Sequence, residues 1–274
     1  MTTSTRKSTG QHVVCVESTE WLGPHLVRVV LTGESLGSFP DNGCTDSYVK
    51  LIFVDPSLGL EAPYDLAALR ETLPADRRPV TRTYTVRQVD RAARRLAIDF
   101  VTHGDSGLAA PWAATAKAGD QLVVTDPGGG YAPDADVPWL VFAGDLSALP
   151  AIASALEALP AAARGVVLLE IGDPADIVPV ATDASIEVRW LVNPDPTDAG
   201  FLARAVDPAD WPADAREPGG AQVFAHGERE SIKAIRRVLR DVPRDRISIS
   251  GYWARGRTED VFQAEKREPI GRID

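Results

Sequence analysis

Hydrophobic and polar positions follow different patterns in the two halves of the chain. The first half contains six short apolar or alternating segments, rich in β-branched and aromatic residues and separated by turn-forming joints. Such segments are typical of β-strands. They cover residues 12–16, 26–32, 47–54, 81–89, 96–101 and 121–125. Together they predict a small antiparallel six-stranded barrel or sandwich. The stretch 55–78 reads as a loop because prolines interrupt it.

In the second half, continuous apolar runs alternate with helical patterns. The runs lie at 139–143, 166–171, 185–192, 221–225 and 246–250. A helical pattern follows Pro150 through Leu159, and a second one extends from Glu228 to Leu239 with its apolar residues on one face. Strands buried on both sides that alternate with helices predict a parallel α/β sheet.

A glycine- and proline-rich joint, DPGGGYAP at 126–133, separates the two halves. It fits a linker, and a phosphate-contacting loop stays open as a second interpretation. We therefore expect a barrel over 10–130, an α/β domain over 136–250 and a C-terminal tail over 251–274. Because Tyr252, Trp253 and Phe262 are large aromatic residues, we expect this tail to pack back on the body.

Composition and charge narrow the class of protein. The 274 residues carry a formal net charge of −10 with a pI near 5.0, which argues against a broad basic nucleic-acid interface. Cys15 and Cys44 are far apart and form no Cys-x-x-Cys pair, so a disulfide framework or zinc site is not expected. The polar start MTTSTRKSTG and the lack of a long apolar run predict a cytoplasmic protein without a membrane span. A monomer is the working expectation.

The segment Arg82-Thr83-Tyr84-Thr85 carries the most informative chemistry. Alternate residues of a strand share a face, so Arg82 and Tyr84 are expected to point the same way. A guanidinium can bind phosphate oxygens and a tyrosine ring can lie against an isoalloxazine, while Thr85 offers a hydroxyl and an N–H for the flavin N5 edge. Spacing alone leaves a plain edge strand with exposed polar residues equally open.

This segment resembles the Arg-x-Tyr-Ser/Thr flavin motif of the ferredoxin–NADP reductase-like superfamily. The whole chain is similar to the siderophore-interacting protein family of FAD-dependent ferric-siderophore reductases. Further segments match that family's pattern in order along nearly the full length, namely Tyr48–Leu51, Asp99–Gly104, Trp112-Ala113, Ala118–Asp120, Pro127–Gly129, Ala143–Asp145, Ala148–Ile152, Gly251–Trp253 and Gly256–Glu259.

The resemblance implies FAD as cofactor, with an FAD-binding barrel, an NAD(P)-binding-like α/β domain and a tail near the flavin. It implies cofactor contacts from Arg82, Thr83, Tyr84, Thr85, Asp99, Phe100, Val101, His103, Ala109, Trp112, Asp145, Ser147 and Trp253. His103 also fits an ordinary loop histidine. The family usually has a serine before the tryptophan, and the sequence Gly107–Trp112 lacks it. A backbone N–H near Ala109 is then the expected phosphate contact.

Asp145 and Ser147 lie where a strand meets a helix, which is the ligand edge of an open α/β sheet. They also fit an N-cap pair for that helix. No Gly-x-Gly-x-x-Gly fingerprint follows the strand, so the use of NADPH or NADH rests on the resemblance.

For the substrate, the resemblance implies cationic side chains that hold an anionic ferric siderophore: Lys50, Lys266 and an arginine. That arginine is Ala254 in this chain, and Arg255 is its neighbour. The implied reaction passes electrons from NAD(P)H through flavin N5 to Fe(III) and releases Fe(II), with no catalytic side chain and no metal ligand from the protein. A ferredoxin-fed reductase, a general flavin or quinone reductase and a non-enzymatic siderophore-binding module stay open.

Overall fold

The computed structural model describes residues 10–102 and 107–273. The first half forms a closed antiparallel barrel with the strand order β1-β2-β5-β4-β3-β6. Its strands are β1 (Gln11–Gly23), β2 (Leu26–Thr32), β3 (Tyr48–Phe53), β4 (Val80–Asp90), β5 (Arg95–Val101) and β6 (Gln121–Thr125). The predicted six-stranded barrel is confirmed. Inward-facing apolar residues such as Val29, Leu51 and Ile98 fill its core and are fully buried.

The barrel contains a seam where two neighbouring strands stop pairing. Strand β4 pairs with β5 from Val86 opposite Ile98 to Asp90 opposite Arg95. Before that point, the pairing found within residues 10–102 and 107–273 joins Val80–Thr85 to β3 and Asp99–Val101 to β2. We call the region between Val80–Thr85 and Asp99–Val101 the seam. It contains the Arg82–Thr85 segment.

The second half is a five-stranded parallel sheet of order β11-β10-β7-β8-β9, which confirms the predicted α/β architecture. Its strands are β7 (Trp139–Gly144), β8 (Arg164–Ile171), β9 (Ser185–Val192), β10 (Ala221–Glu228) and β11 (Ile247–Trp253). The helices are α3 (Leu149–Ala158), α4 (Phe201–Ala205) and α5 (Arg229–Val238). Apolar clusters lie on both faces of the sheet, as its continuous apolar strands require.

Two sequence predictions need correction. The stretch 55–78 is not all loop: α1 (Leu66–Thr72) begins where the Asp65 carboxylate accepts a hydrogen bond from the Ala68 N–H, 3.0 Å away. Strand β11 covers Ile247–Trp253, so it ends three residues later than the predicted run 246–250. Helix α2 (Ala109–Thr115) packs on β2 and β5 of the barrel. The tail forms α6 (Glu259–Glu265).

Several contacts connect the two halves. In the glycine-rich joint, Gly128 exchanges two backbone hydrogen bonds of 2.8 Å with Tyr48 of β3. The Asp46 carboxylate accepts from the N–H groups of Gly130 and Tyr131 at 2.8 and 2.9 Å. Helix α3 packs on β4, where the Ser154 hydroxyl donates to the carbonyl of Arg87 at 3.1 Å. The joint is therefore bound to the barrel along its length.

The tail packs back on the body, and Phe262 is its buried anchor. Phe262 of α6 is fully buried and the Thr258 hydroxyl caps this helix by accepting from the Val261 N–H. Over the described parts of the chain, none of the helices is long and apolar enough to cross a membrane.

Candidate active site

Aromatic side chains line the seam of the barrel. The rings of Tyr84 on β4 and Phe100 on β5 lie 4.4 Å apart, and Trp112 of α2 lies 5.8 Å from Phe100. Phe100 is fully buried, while Tyr84 and Trp112 keep part of their surface accessible. Burial raises the pKa of Tyr84, so its phenol stays neutral at physiological pH. The seam thus presents an apolar wall with a neutral hydroxyl.

Donor groups adjoin this wall. Arg82 donates from both terminal nitrogens to the Asp260 carboxylate of α6, at 3.1 Å each. Only 15% of the Arg82 side chain is exposed, against 73% of Asp260. Thr83 is exposed and lies opposite Lys50 of β3, which is also exposed. The exposed Asp260 carboxylate holds the largely buried Arg82 guanidinium, and a phosphate bound to Arg82 would have to replace that carboxylate.

Thr85 connects the seam to the parallel sheet. It is 8% exposed, and its side chain opposes the rise that burial causes in the pKa of the Tyr252 phenol of β11. Burial raises the pKa of Tyr252, and the edge of His226 from β10 packs on its ring at 4.8 Å. Thr85 thus marks the place where the barrel approaches β11 of the parallel sheet.

Asp99 is held by the barrel itself. Its carboxylate accepts from Nε and Nη2 of Arg28, its cross-strand partner, at 2.6 and 2.8 Å. Val101 packs against the core of the α/β half, and Ala109, which is buried, begins α2. His103 lies outside the described residues. The cofactor roles of these four residues stay predictions.

The residues of the seam fit FAD. A flat aromatic ring system needs an apolar wall, which Tyr84 and Trp112 supply, and a pyrophosphate needs a cation such as Arg82. Thr83 and Thr85 add hydroxyl groups on the same strand. The seam therefore combines the aromatic surface that an isoalloxazine requires with the cation and hydroxyl groups that a pyrophosphate requires.

Asp145 organises the carboxyl edge of the parallel sheet. Its carboxylate accepts from the N–H of Ser147 at 2.8 Å, the N–H of Glu228 at 3.0 Å and Nε1 of Trp253 at 2.8 Å. The Ser147 hydroxyl donates as well, at 2.5 Å. Burial raises the pKa of Asp145, and these hydrogen bonds oppose that shift. Gly227, at φ +150, approaches so closely that a Cβ there would lie 2.8 Å from the carboxylate.

The three predicted substrate residues occupy different surroundings. Lys50 is exposed on the barrel. The Lys266 ammonium lies 4.7 Å from the Phe262 ring centroid, where loss of hydration lowers its pKa, and the charge of Glu259 opposes this shift. Arg255 is exposed and its guanidinium lies 5.6 Å from the centroid of the Trp253 ring. Ala254 is buried, so the arginine expected there has no place in this packing.

Sequence reasoning missed Arg28, Asp260 and Glu228. The Arg28 contact follows from strand register, which the apolar pattern alone does not define. Glu228 caps α5 through the N–H groups of Glu230 and Ser231, and an acidic residue before a helix is a signal that could have revealed it. Asp260 is a surface residue of the tail with no distinguishing pattern.

A closed barrel with an aromatic and cationic seam, joined to a parallel α/β sheet, is the two-domain fold of ferredoxin reductase-like proteins. The family model of the siderophore-interacting FAD-binding domain matches residues 15–131, and that of the siderophore-interacting protein matches residues 137–256. The chain belongs to the siderophore-interacting protein family.

Relatives and solved structures agree with this assignment. The ferric vibriobactin reductase ViuB of Vibrio cholerae is 36% identical over 255 residues, which cover 90% of each protein. The NADPH-dependent ferric-chelate reductase of Escherichia coli is 29% identical over 233 residues, covering 82% of this chain and 86% of that protein. The siderophore-interacting protein SipS from Aeromonas hydrophila superposes with a TM-score of 0.77 at 28% identity, covering 96% of this chain and 98% of SipS.

Proposed function

We propose that this protein is an FAD-dependent reductase that uses NAD(P)H to reduce the Fe(III) of a bound siderophore and so releases Fe(II). The observation that carries the proposal is the seam, where the cation Arg82 adjoins the stacked rings of Tyr84 and Phe100, with Trp112 beside Phe100, in an FAD-binding domain. The similarity to the ferric vibriobactin reductase and the NADPH-dependent ferric-chelate reductase supports the reaction and the donor.

The residues of the seam have distinct tasks in this proposal. Arg82 neutralises the pyrophosphate, and Tyr84 with Trp112 covers the flat ring and excludes water. Thr85, which is almost fully buried near Tyr252, would offer its hydroxyl to the ring. Bound FAD would couple a donor of two electrons, the hydride of NAD(P)H, to an acceptor of single electrons, the Fe(III) ion.

Lys50 and Lys266 attract the anionic, oxygen-rich siderophore to this region. The iron stays with its chelator until reduction, since hard oxygen ligands hold Fe(II) less tightly than Fe(III). Within residues 10–102 and 107–273, no group of three or more His, Cys, Asp or Glu side chains could hold a metal ion. The iron is the substrate, and the protein contributes binding and orientation.

We further propose the cytoplasm as the compartment. Cys15 and Cys44 both carry free thiols, which suits a reducing environment. NAD(P)H is a donor of the same compartment.

Anaerobic spectroscopy of the purified protein tests the function. We expect a flavin spectrum, bleaching by NADPH or NADH, and re-oxidation on adding a ferric tris-catecholate, with Fe(II) trapped by ferrozine. Lys50→Ala should weaken saturation by the ferric chelate, whereas Lys117→Ala, an exposed lysine on the same barrel, should not.

Each contrary result points to one alternative. A colourless protein without flavin would indicate a siderophore-binding module. A flavin that neither nucleotide bleaches would indicate a ferredoxin-fed reductase. Equal behaviour of the two lysine variants and no saturation with ferric chelate would indicate a general flavin or quinone reductase.

A further inference from the structure

The order of the parallel sheet defines where a nucleotide can bind. From β7 the chain proceeds to β8 and β9 on one side, and then to β10 and β11 on the other. The strand order reverses between β7 and β10, and ligands of open α/β sheets bind at the carboxyl ends beside such a reversal. Asp145 follows β7 at this position, and Glu228 ends β10.

The backbone donors at this crevice are already in use. A dinucleotide phosphate normally binds free N–H groups at the turn after the first strand. Here the Asp145 carboxylate accepts from the N–H groups of Ser147 and Glu228, at 2.8 and 3.0 Å. A carboxylate therefore occupies the donors that a phosphate needs, and its charge repels an anion. A phosphate at this edge requires another cationic partner.

Arg255 meets that requirement. Its guanidinium lies over the Trp253 ring, and Asp145 fixes that ring through the indole N–H. Its backbone N–H donates to the Glu228 carboxylate at 3.0 Å. Across the described residues, the Arg255 guanidinium makes neither an ion pair nor a hydrogen bond. The result is an exposed planar cation, oriented by stacking, with its N–H groups unused.

The charge of Arg255 acts on the same edge of the sheet. Burial raises the pKa of Glu170 in β8, and a hydrogen bond from Asn193 together with the Arg255 charge opposes the shift. After β9, Thr197 lowers the pKa of Asp195, and Arg255 adds to that effect. The charge of Arg255, which stacks on Trp253 beside Asp145, thus reaches the carboxylates that follow β8 and β9 and offsets charges that would repel a phosphate.

We propose that Arg255 binds a phosphate of the pyridine dinucleotide donor, in place of the phosphate loop whose donors Asp145 occupies, and does not hold the siderophore. This inference rests on the proposed function, since it assumes that the donor is NADPH or NADH. The phosphate is the pyrophosphate common to both nucleotides or the 2′-phosphate of NADPH alone.

Equilibrium titration of the FAD-loaded protein with NADP⁺ and with NAD⁺ tests the proposal. Arg255→Ala and Arg255→Lys are compared with Arg267→Ala, which removes the same charge from an exposed position of the tail. A lost charge-assisted hydrogen bond should raise Kd about tenfold or more in Arg255→Ala. Arg255→Lys should recover only part of the affinity, and Arg267→Ala should bind like the wild type.

The two nucleotides distinguish the two phosphates. Equal weakening of NADP⁺ and NAD⁺ binding assigns Arg255 to the pyrophosphate, and weakening of NADP⁺ alone assigns it to the 2′-phosphate. The proposal is overturned if the wild type binds neither nucleotide, or if Arg255→Ala leaves both unchanged while its affinity for a ferric tris-catecholate falls. Reduction of that chelate by dithionite-reduced protein needs no nucleotide, so it tests the proposed function separately.

Discussion

Replacing Asp99 by asparagine distinguishes a structural role from a cofactor role. Two short hydrogen bonds of 2.6 and 2.8 Å join Arg28 to Asp99. These bonds raise the pKa of the Arg28 guanidinium. The Asp99 side chain is 3% exposed and that of Arg28 is 26% exposed. A fully buried pair broken on one side costs about 3–5 kcal/mol, and an exposed pair at most about 1 kcal/mol. Because Arg28 can regain water, we expect an intermediate loss of about 2 kcal/mol in the free energy of unfolding.

Urea unfolding of flavin-free protein, followed by tryptophan fluorescence, measures this loss without the added stability from bound cofactor. Arg28→Gln and the double variant complete a mutant cycle, for which we expect a coupling energy of about 1–2 kcal/mol. The Kd for FAD should stay within a few-fold of the wild-type value. The reasoning is refuted if Asp99→Asn leaves the free energy of unfolding unchanged but weakens FAD binding tenfold.

Three further predictions concern the seam and the parallel sheet. Arg82→Gln should raise the Kd for FAD about tenfold or more, while Asp260→Asn should not weaken FAD binding; equal losses by fluorescence titration would contradict the assignment of Arg82. Burial lowers the pKa of His226 from 6.5 to about 3, so below pH 6.5 only the unfolded chain gains this proton and stability falls as pH decreases. The slope approaches about 1.4 kcal/mol per pH unit, and His226→Gln should flatten it in urea unfolding; unchanged slopes would oppose this explanation. Gly227→Ala, with a Cβ 2.8 Å from the Asp145 carboxylate, should cost about 2 kcal/mol, and an unaltered Tm would exclude the predicted clash.

The apolar pattern predicted the elements better than the contacts between them. Both the six-stranded barrel and the five-stranded sheet followed from it, because the spacing of apolar residues within each segment indicates which faces of that strand are buried. Helix α1 was missed since the prolines around it dominate the local signal. The end of β11 was missed because Gly251-Tyr252-Trp253 lacks the continuous apolar character of the strand before it.

The candidate site was predictable only in part. The Arg82–Thr85 segment is local, so its residues could be named from the sequence. Two partners of Asp145, Glu228 and Trp253, come from two other strands and meet it only in the folded sheet. Asp260 reaches Arg82 across 178 residues of chain, and no local pattern indicates such a contact.

The seam has a consequence for the fate of protein that lacks its cofactor. Val80–Thr85 has no strand partner on the β5 side, and its sequence, VTRTYT, is rich in β-forming residues. An unpaired edge of this type is a template on which another chain can add a strand. If bound FAD covers this edge, newly made chains without FAD should be the form most prone to aggregation and degradation. The supply of riboflavin would then control the abundance of the protein as well as its activity.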